Sequence, residues 1–447
     1  METALLLGMV VRVSSGVGVR AFGRLQPAQR RNLGILFVAG LLFWASLSAL
    51  LPTLPLYVRD VGGTSQEVGL VMGAFSIGLL AFRPWLGRLA DGHSRRIVLL
   101  IGMGAAGMAP LGYWLWDWIP WIALVRAFHG ISIAAFATAY VTLVADFAPE
   151  EKRGEILGYM SLVNPMGVAI GPALGGFLQE LAGYGPLFLF AALLGLVGFF
   201  CTQLVREQRR GDWGSLPSDG AFWGLVLSPK VCSLAGVMLL VGLAFGTQTT
   251  FVALLIQEAG VPLNPGLFYT AVALSSFGVR LLAGRASDRY GRGPFISLSL
   301  ATYALAMGIL RVADSAAAFL AAGIVVGSGF GTLIPLISAL VADRSEPAER
   351  GRLFSLVMCG FDLGIGLAGP ILGTLAGGFG YRAMFGYAAL LALASLGSFL
   401  CFSNGRPGSS LRFALGLETD RFRQPDPVPS EQPQPSPPLP TGSRPAL

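Results

Sequence analysis

A carboxylate in the middle of an apolar run can take up and release a proton where water is scarce. Asp362 is such a residue. It is the single charge between Arg352 and Arg382, nine residues after Leu353, and its side chain is too short to reach an interface. A charge at that depth costs about 2.5–3.5 kcal/mol on insertion scales, which marks it as functional or paired. A proton-coupling role accounts for it, and so does an arginine partner such as Arg280 or Arg126. Arg126 is followed one helical turn later by His129. A guanidinium in apolar surroundings requires an acceptor or water. Arg126 is therefore read as a solute-binding or coupling group, or else as a satisfied structural cation. His129, beside Gly130, is a further cavity candidate or a packed imidazole. Arg83 and Arg280 lie near the ends of their segments, where long side chains reach water, and are read as structural.

The elements that must hold these residues are set by lipid. Of 447 residues, 54% are hydrophobic and 12% charged, and the mean hydropathy is +0.67. A soluble domain carries about 25% charge, so half the usual charge cannot cover a water-exposed surface of this size. No charged residue lies between Arg31 and Arg59, Arg96 and Asp117, Glu155 and Glu180, or Glu180 and Arg206. The same holds from Lys230 to Glu258, Glu258 to Arg280, Asp314 to Asp343, and Arg382 to Arg406. About 20 helical residues cross a bilayer core of about 30 Å. These gaps, with 68–88, 119–142, 293–312 and 353–380, predict about twelve transmembrane helices in an all-α membrane protein. The runs lack the alternation of a β-barrel.

The net charge of +7 could suggest nucleic acid, but its placement argues for a membrane. Basic residues cluster in alternate loops and in the tails, as at Arg88, Arg95, Arg96, Lys152, Arg153, Arg289, Arg292, Arg344 and Arg350. The intervening loops hold Arg59, Arg311 and Arg382. This asymmetry predicts both termini in the cytoplasm of a cell-membrane protein. The four cysteines form no CxxC pair, so no metal or cofactor is expected, and buried small apolar side chains are the better account. Residues 1–32 are Arg-rich and acid-poor, as in a transit peptide, but a basic cytoplasmic tail reached from an upstream start codon is preferred. Residues 403–447 are proline-rich and read as a disordered cytoplasmic tail.

The chain also repeats itself. Gly87-Arg88-Leu89-Ala90-Asp91 returns as Gly284-Arg285-Ala286-Ser287-Asp288, an offset of 197 residues. Arg83 and Arg280 share that offset, as do Asp146 and Asp343, while Gly171-Pro172 and Gly369-Pro370 are offset by 198. Two parallel six-helix bundles are predicted, 33–205 and 232–402, joined by a cytoplasmic linker at 206–231. Such repeats place a solute site at the membrane midplane between the halves. Asn164 occupies in the fifth span the place of Asp362 in the eleventh, which suggests polar groups lining a shared cavity. Trp44 and Ser48 in the first span, with Gln248 and Thr249 in the seventh, are further lining candidates, although such residues are usually packing.

With these motifs the sequence resembles the major facilitator superfamily over 33–402. Gly87 to Arg96 is similar to the family's G-x-L-a-D-r-x-G-r-r loop, departing from it at Gly92 and Ser94. The copy from Gly284 to Arg292 is a closer match. The resemblance implies a conformational latch made by Gly87, Asp91, Arg95, Gly284, Asp288, Arg289 and Arg292. Leu124 to Gly130 is similar to the family's R-x-x-x-G stretch. Gly167, Gly171, Pro172, Gly175 and Gly176 fit G-x-x-x-G-P-x-x-G-G, which in the family is typical of proton-driven exporters. Physically, glycines at this spacing admit a second helix closely, Pro172 bends its helix, and Gly369 and Pro370 repeat the device. Packing alone accounts for these residues as well as coupling does.

The function expected is secondary active transport by alternating access. The resemblance points to proton-coupled export, an antiporter for drug-like or sugar-like compounds, although 33–57 lacks the acidic residue common in the family's drug exporters. Expected partners are a small-molecule substrate, protons and the lipid bilayer, with no nucleic acid, and the unit is a monomer. No G-x-x-x-x-G-K-[ST] loop is present for ATP. A membrane enzyme would need clustered catalytic groups, and the chain has two histidines. An uptake symporter on the same fold and a non-transporting receptor or scaffold remain the alternatives.

Overall fold

The computed structural model describes residues 25–149, 152–207, 228–346 and 349–424. The expected tail up to residue 24, the linker over 208–227 and the proline-rich end from 425 lie outside them. Among the described residues the first half contains α1 (Pro27–Ala49), α2 (Thr53–Asp60), α3 (Ser65–Gly92), α4 (Arg95–Leu115), α5 (Ile119–Phe147), α6 (Arg153–Met160), α7 (Val163–Ala182) and α8 (Tyr184–Gln203). The second half contains α9 (Pro229–Glu258), α10 (Pro265–Tyr290), α11 (Arg292–Val312), α12 (Ala316–Asp343), α13 (Arg350–Phe402) and α14 (Pro407–Ala414). Ten of these segments are long and apolar enough to cross a membrane, with α1–α2 and α6–α7 each counting as one. The 53-residue α13 holds two spans, and α10 is long enough to be a further one.

Helix is forced here because the bilayer core offers no water to a backbone amide, so each segment must satisfy its own. What the sequence chooses is where helices begin and end. Thr64 accepts from the Glu67 amide at 3.2 Å while the Glu67 carboxylate accepts from the Thr64 amide at 2.8 Å, a reciprocal cap on α3. Ser94 and Asn264 cap α4 and α10. Pro52, without an amide hydrogen, separates α1 from α2. Gly183 (φ 84°) turns α7 into α8, and Gly380 (φ 79°), one repeat later, bends α13 between its two spans. A side chain is strained at those angles, so the repeat is written into the turns as well as the motifs.

Loops carrying the basic clusters gather at one end of the bundle, called here the basic face. The other end is the opposite face. At the opposite face Trp114, Trp116 and Trp118 stand more than half exposed, as expected of amphipathic rings at a membrane surface. Large apolar side chains such as Ile77, Leu124, Leu181 and Phe200 also point outward, which lipid tolerates and water would not. Buried side chains form two clusters. One runs through the whole second half and continues into the opposite-face ends of the first through Leu50, Tyr57, Val68, Tyr113 and Phe188. The other, with Leu33, Phe43, Leu86, Val98 and Leu143, belongs to the basic-face part of the first half alone. The two bundles are thus fused at the opposite face and separate at the basic one.

Two expectations need correction. The four cysteines are not buried: Cys232, Cys359 and Cys401 are exposed and Cys201 is half-buried, because the rotation of each helix and not the residue type sets exposure, and Cys359 shares the helix face of Asp362 one turn on. Nor does order stop at 403. Helix α14 packs against α11 and α13, with the Phe413 ring buried. Asp420, 7% exposed, accepts from Nε and Nη2 of Arg344 at 2.7 and 3.0 Å, and Arg344 is itself 2% exposed. Arg344 also donates to the Ser403 carbonyl at 2.8 Å and lies over the Phe413 and Phe422 rings. Composition alone pointed to disorder because the anchoring carboxylate is a single residue in a polar stretch.

Breaking this buried pair from one side strands a charge, a loss of about 3–5 kcal/mol. Asp420→Ala should therefore lower the thermal unfolding midpoint of the protein in detergent, whereas Arg344→Met combined with Asp420→Leu should recover most of it. Equal stability of Asp420→Ala and the parent would show that the tail contributes nothing.

Candidate functional site

The halves meet along two helix pairs, α3 with α13 and α7 with α10. Each contact depends on backbone approaching backbone. A Cβ on Gly69 would collide with the Gly369 carbonyl oxygen, and one on Gly369 would collide with that of Gly69. A Cβ on Gly73 would meet the Gly366 carbonyl at 2.6 Å. At the second pair, Gly266 abuts the Pro172 carbonyl and Gly176 the Asn264 side chain. Glycine removes the side chains that would hold these helices apart. Hydrogen bonds follow, from Thr270 to the Ala169 carbonyl at 2.8 Å and between the Ser65 and Tyr381 hydroxyls at 2.9 Å.

Deeper in the membrane the α3–α13 contact ends in a charge pair. Arg83 Nη1 donates to Asp362 Oδ2 at 2.5 Å, with the Asp362 side chain 10% and the Arg83 side chain 28% exposed. The partner of Asp362 is thus neither Arg280 nor Arg126 but the arginine read as snorkelling. No sequence signal identified Arg83, because only the register of α3 against α13 brings residues 279 apart together. The pair joins one half to the other, so any motion that parts α3 from α13 must break it.

At the basic face the charges close within each half instead. Arg95 pairs with Asp146, and Arg292 pairs with Asp343 at 3.2 Å and with Asp288. The Arg95–Asp146 and Arg292–Asp343 pairs are the same pair one repeat apart. Glu207 accepts from the Arg95 and Arg96 amides at 3.0 and 3.2 Å and so caps α4 with a negative charge. Of the other latch candidates, Asp91 is exposed, Gly87 has open space beside it, and Arg289 lies over Tyr290. Gly284 falls in 281–285, whose side chains are outside the described ones. Of the seven latch candidates, Arg95, Asp288 and Arg292 thus close ion pairs inside their own halves in this conformation.

The expected lining residues divide. Ser48, 1% exposed, donates to the Trp44 and Gly167 carbonyls at 2.5 and 3.0 Å, so it bridges α1 and α7 and does not line a cavity. Gly167, Gly171 and Gly175 stack along α1 against Trp44, Ala45 and Ala49. His129 is fully buried, with Nδ1 3.1 Å from the Tyr113 hydroxyl, and Arg126 is 5% exposed with its guanidinium over the Phe75 ring. Gln248, 1% exposed, is 3.5 Å from the Tyr303 hydroxyl. These are interior to single bundles, because their helix faces turn toward neighbours in their own half. Trp44, Thr249 and Asn164 are half-buried, and Thr249 donates to the Phe245 carbonyl at 2.9 Å.

Residues 36–283 and 234–416 match the family model of the Major Facilitator Superfamily. The chain belongs to the major facilitator superfamily. Among the relatives of this facilitator, the multi-drug resistance efflux pump PmrA of Streptococcus pneumoniae is 28% identical over 395 residues, covering 83% of this chain and 95% of that one. The PmrA homolog of Lactococcus lactis is 30% identical over 387 residues, covering 79% and 90%. In structure the facilitator is similar to a crystal structure of the nucleoside transporter NupG, with a TM-score of 0.67 at 17% identity, covering 84% of this chain and 99% of that one. That likeness shows the fold.

The glycine contacts make the closed face fragile to size. In Gly369→Val the new side chain must displace the Gly69 backbone, and such overpacking costs about 1–3 kcal/mol. The closed arrangement should lose about 5- to 150-fold in population, read as faster thiol labelling of Ser65→Cys in the Gly369→Val background. Unchanged labelling would mean that the facilitator does not open along α3 and α13.

Proposed function

We propose that this facilitator is a proton-coupled exporter of drug-like apolar compounds, working as a monomer in the plasma membrane with both termini cytoplasmic. Its fold, its membership and its efflux-pump relatives support transport of small molecules across a membrane. The observation that carries the coupling is the Arg83–Asp362 pair, an isolated carboxylate bridging the halves within the apolar layer.

On this reading the structure is the carrier closed to the outside and open to the cytoplasm. With Asp362 ionised, Arg83 holds α3 against α13, and the empty carrier is locked. Solute entering from the cytoplasm wedges the halves and parts the pair. The two bundles then rock as rigid bodies, the glycine contacts at the opposite face separate, and the solute leaves. A proton from outside neutralises Asp362, which lets the halves close again without Arg83. Loss of that proton to the cytoplasm restores the pair. Ionic pairing and protonation are alternatives for the same carboxylate, so a carrier with neither proton nor solute cannot slip.

The experiment follows retention of a labelled apolar drug in cells expressing the protein, with and without an uncoupler. Expression should lower retention, and the uncoupler should abolish the effect. Asp362→Asn, a near-isostere with no ionisable group, should fold normally and lose coupling: exchange along a solute gradient persists while uncoupler-sensitive export falls about tenfold or more, the loss of one essential charge-assisted contact. Retention that rises with expression would turn the direction to uptake. Export by Asp362→Asn with its uncoupler sensitivity intact would remove Asp362 from the coupling path.

A further inference from the structure

Away from the two interfaces between the halves, a groove opens on the flank of the bundle at its basic end. It holds about 620 Å³ and runs between α1 and α8. Leu25 and Pro27 stand at its mouth, Gly34, Ile35 and Val38 line it along α1, and Cys201 lines it from α8. From Pro27 to Val38 the helix rises about 16 Å, so the groove reaches from the basic end well into the apolar layer. Glycine keeps it open, since a Cβ on Gly34 would meet nothing within 4 Å. On the same two helices Val38, Phe200 and Leu204 are exposed, side chains that lipid tolerates and water does not.

The lining is apolar except for Arg30 and Arg31, both exposed on its rim. Among the described residues neither guanidinium has a carboxylate or a hydrogen-bond acceptor. The first turn of α1 carries no acidic residue, and cations near the start of a helix oppose its dipole. Asn32 Nδ2 donates to the Arg206 carbonyl at 3.2 Å, which brings a third basic residue to this end of α1. Glu207, the next residue, is turned to the Arg95 and Arg96 amides of α4. The preference of this face for basic residues accounts for the sign of the charge. It does not account for two unneutralised guanidiniums on the rim of an apolar cleft. Cations at the surface with an apolar slot beneath them are the complement of an anionic phospholipid. The planar fork of arginine matches a phosphate, and the slot takes an acyl chain.

We infer that the α1–α8 groove binds an anionic phospholipid of the leaflet at the basic face, with its phosphate on Arg30 and Arg31 and one acyl chain along Gly34, Ile35 and Val38. Basic pockets between membrane helices take anionic headgroups in this way. Neither α1 nor α8 contributes to the α3–α13 and α7–α10 contacts between the halves. The site therefore stands outside the path proposed for the solute and does not depend on that reading. A lipid seated there joins the basic ends of α1 and α8.

The test follows alkylation of Cys201 by N-ethylmaleimide in the full-length protein, read by peptide mass spectrometry, in nanodiscs of phosphatidylcholine alone or with phosphatidylglycerol. Phosphatidylglycerol should slow Cys201 about tenfold or more, the scale of two basic residues at an anionic surface. Cys232, exposed and outside the groove, should react at the same rate in both discs. Arg30→Gln with Arg31→Gln should erase the lipid effect, whereas Arg30→Lys with Arg31→Lys should keep part of it, which separates lost charge from lost fold. Gly34→Leu fills the groove with both charges in place and should also erase it. Equal Cys201 rates in the two discs for the parent, or a lipid effect that survives either the glutamine pair or Gly34→Leu, overturns the site. Inorganic phosphate that slows Cys201 as well as phosphatidylglycerol does would assign the rim to a free anion and overturn the lipid. Slow alkylation in every disc, released by changing Leu5, Leu6 and Leu7 to serine, would give the groove to the chain's own first segment. Protection that rises with the number of copies per disc would give it to a second copy, and either result overturns the lipid.

Discussion

Inside a bilayer a charge has to find a partner, a proton or water, and Asp362 is where this chain meets that requirement. Its carboxylate lies in a span that is otherwise free of charge between Arg352 and Arg382. The partner it finds, Arg83, is on the other bundle. Much else in the architecture serves that meeting. The glycines of α3 and α13 bring the backbones close enough for the two side chains to touch, and the turn glycines and caps fix where each rod begins. Had the pair formed within one bundle, it would have stabilised the fold and been indifferent to rocking. Formed between bundles, it reports on their relative position.

The repeat is close in backbone and uneven in charge. Gly183 and Gly380 share a turn conformation, and Arg95–Asp146 and Arg292–Asp343 repeat a basic-face clamp. At that depth the symmetry fails, since Arg83 pairs with Asp362 across the halves while its equivalent Arg280 donates to the Gly331 carbonyl within its own half. An exact repeat would place two equal locks on the same motion.

Polar side chains elsewhere show how a membrane bundle manages its interior. Ser48 returns its hydroxyl to two backbone carbonyls, and Thr247, Thr249 and Thr202 each donate to the carbonyl one turn back. These bonds satisfy a hydroxyl without asking anything of a solute. Beyond the last span, Arg344 and Asp420 pin the segment to residue 424 onto the end of α12 through a buried pair enclosed by Phe413 and Phe422.

The sequence by itself determined the solvent, the helical class, the duplication near 197 residues, the family, the glycine faces and the isolation of Asp362 in an apolar span. All of these follow from one-dimensional pattern: how far apart charges stand, which residues recur, and which side chains are missing where helices must touch. Tertiary structure alone decided that Asp362 meets Arg83, that Ser48, His129 and Gln248 turn into their own bundles, that three of the four cysteines are exposed, and that the tail is anchored as far as 424. Each of those depends on the rotation of a helix about its axis, and the pairings on the register of partners 16 to 279 residues apart. In spans that are apolar on every side, no amphipathic stripe tells the reader which face looks inward. Packing chooses it, through the few places where glycine lets two backbones come together.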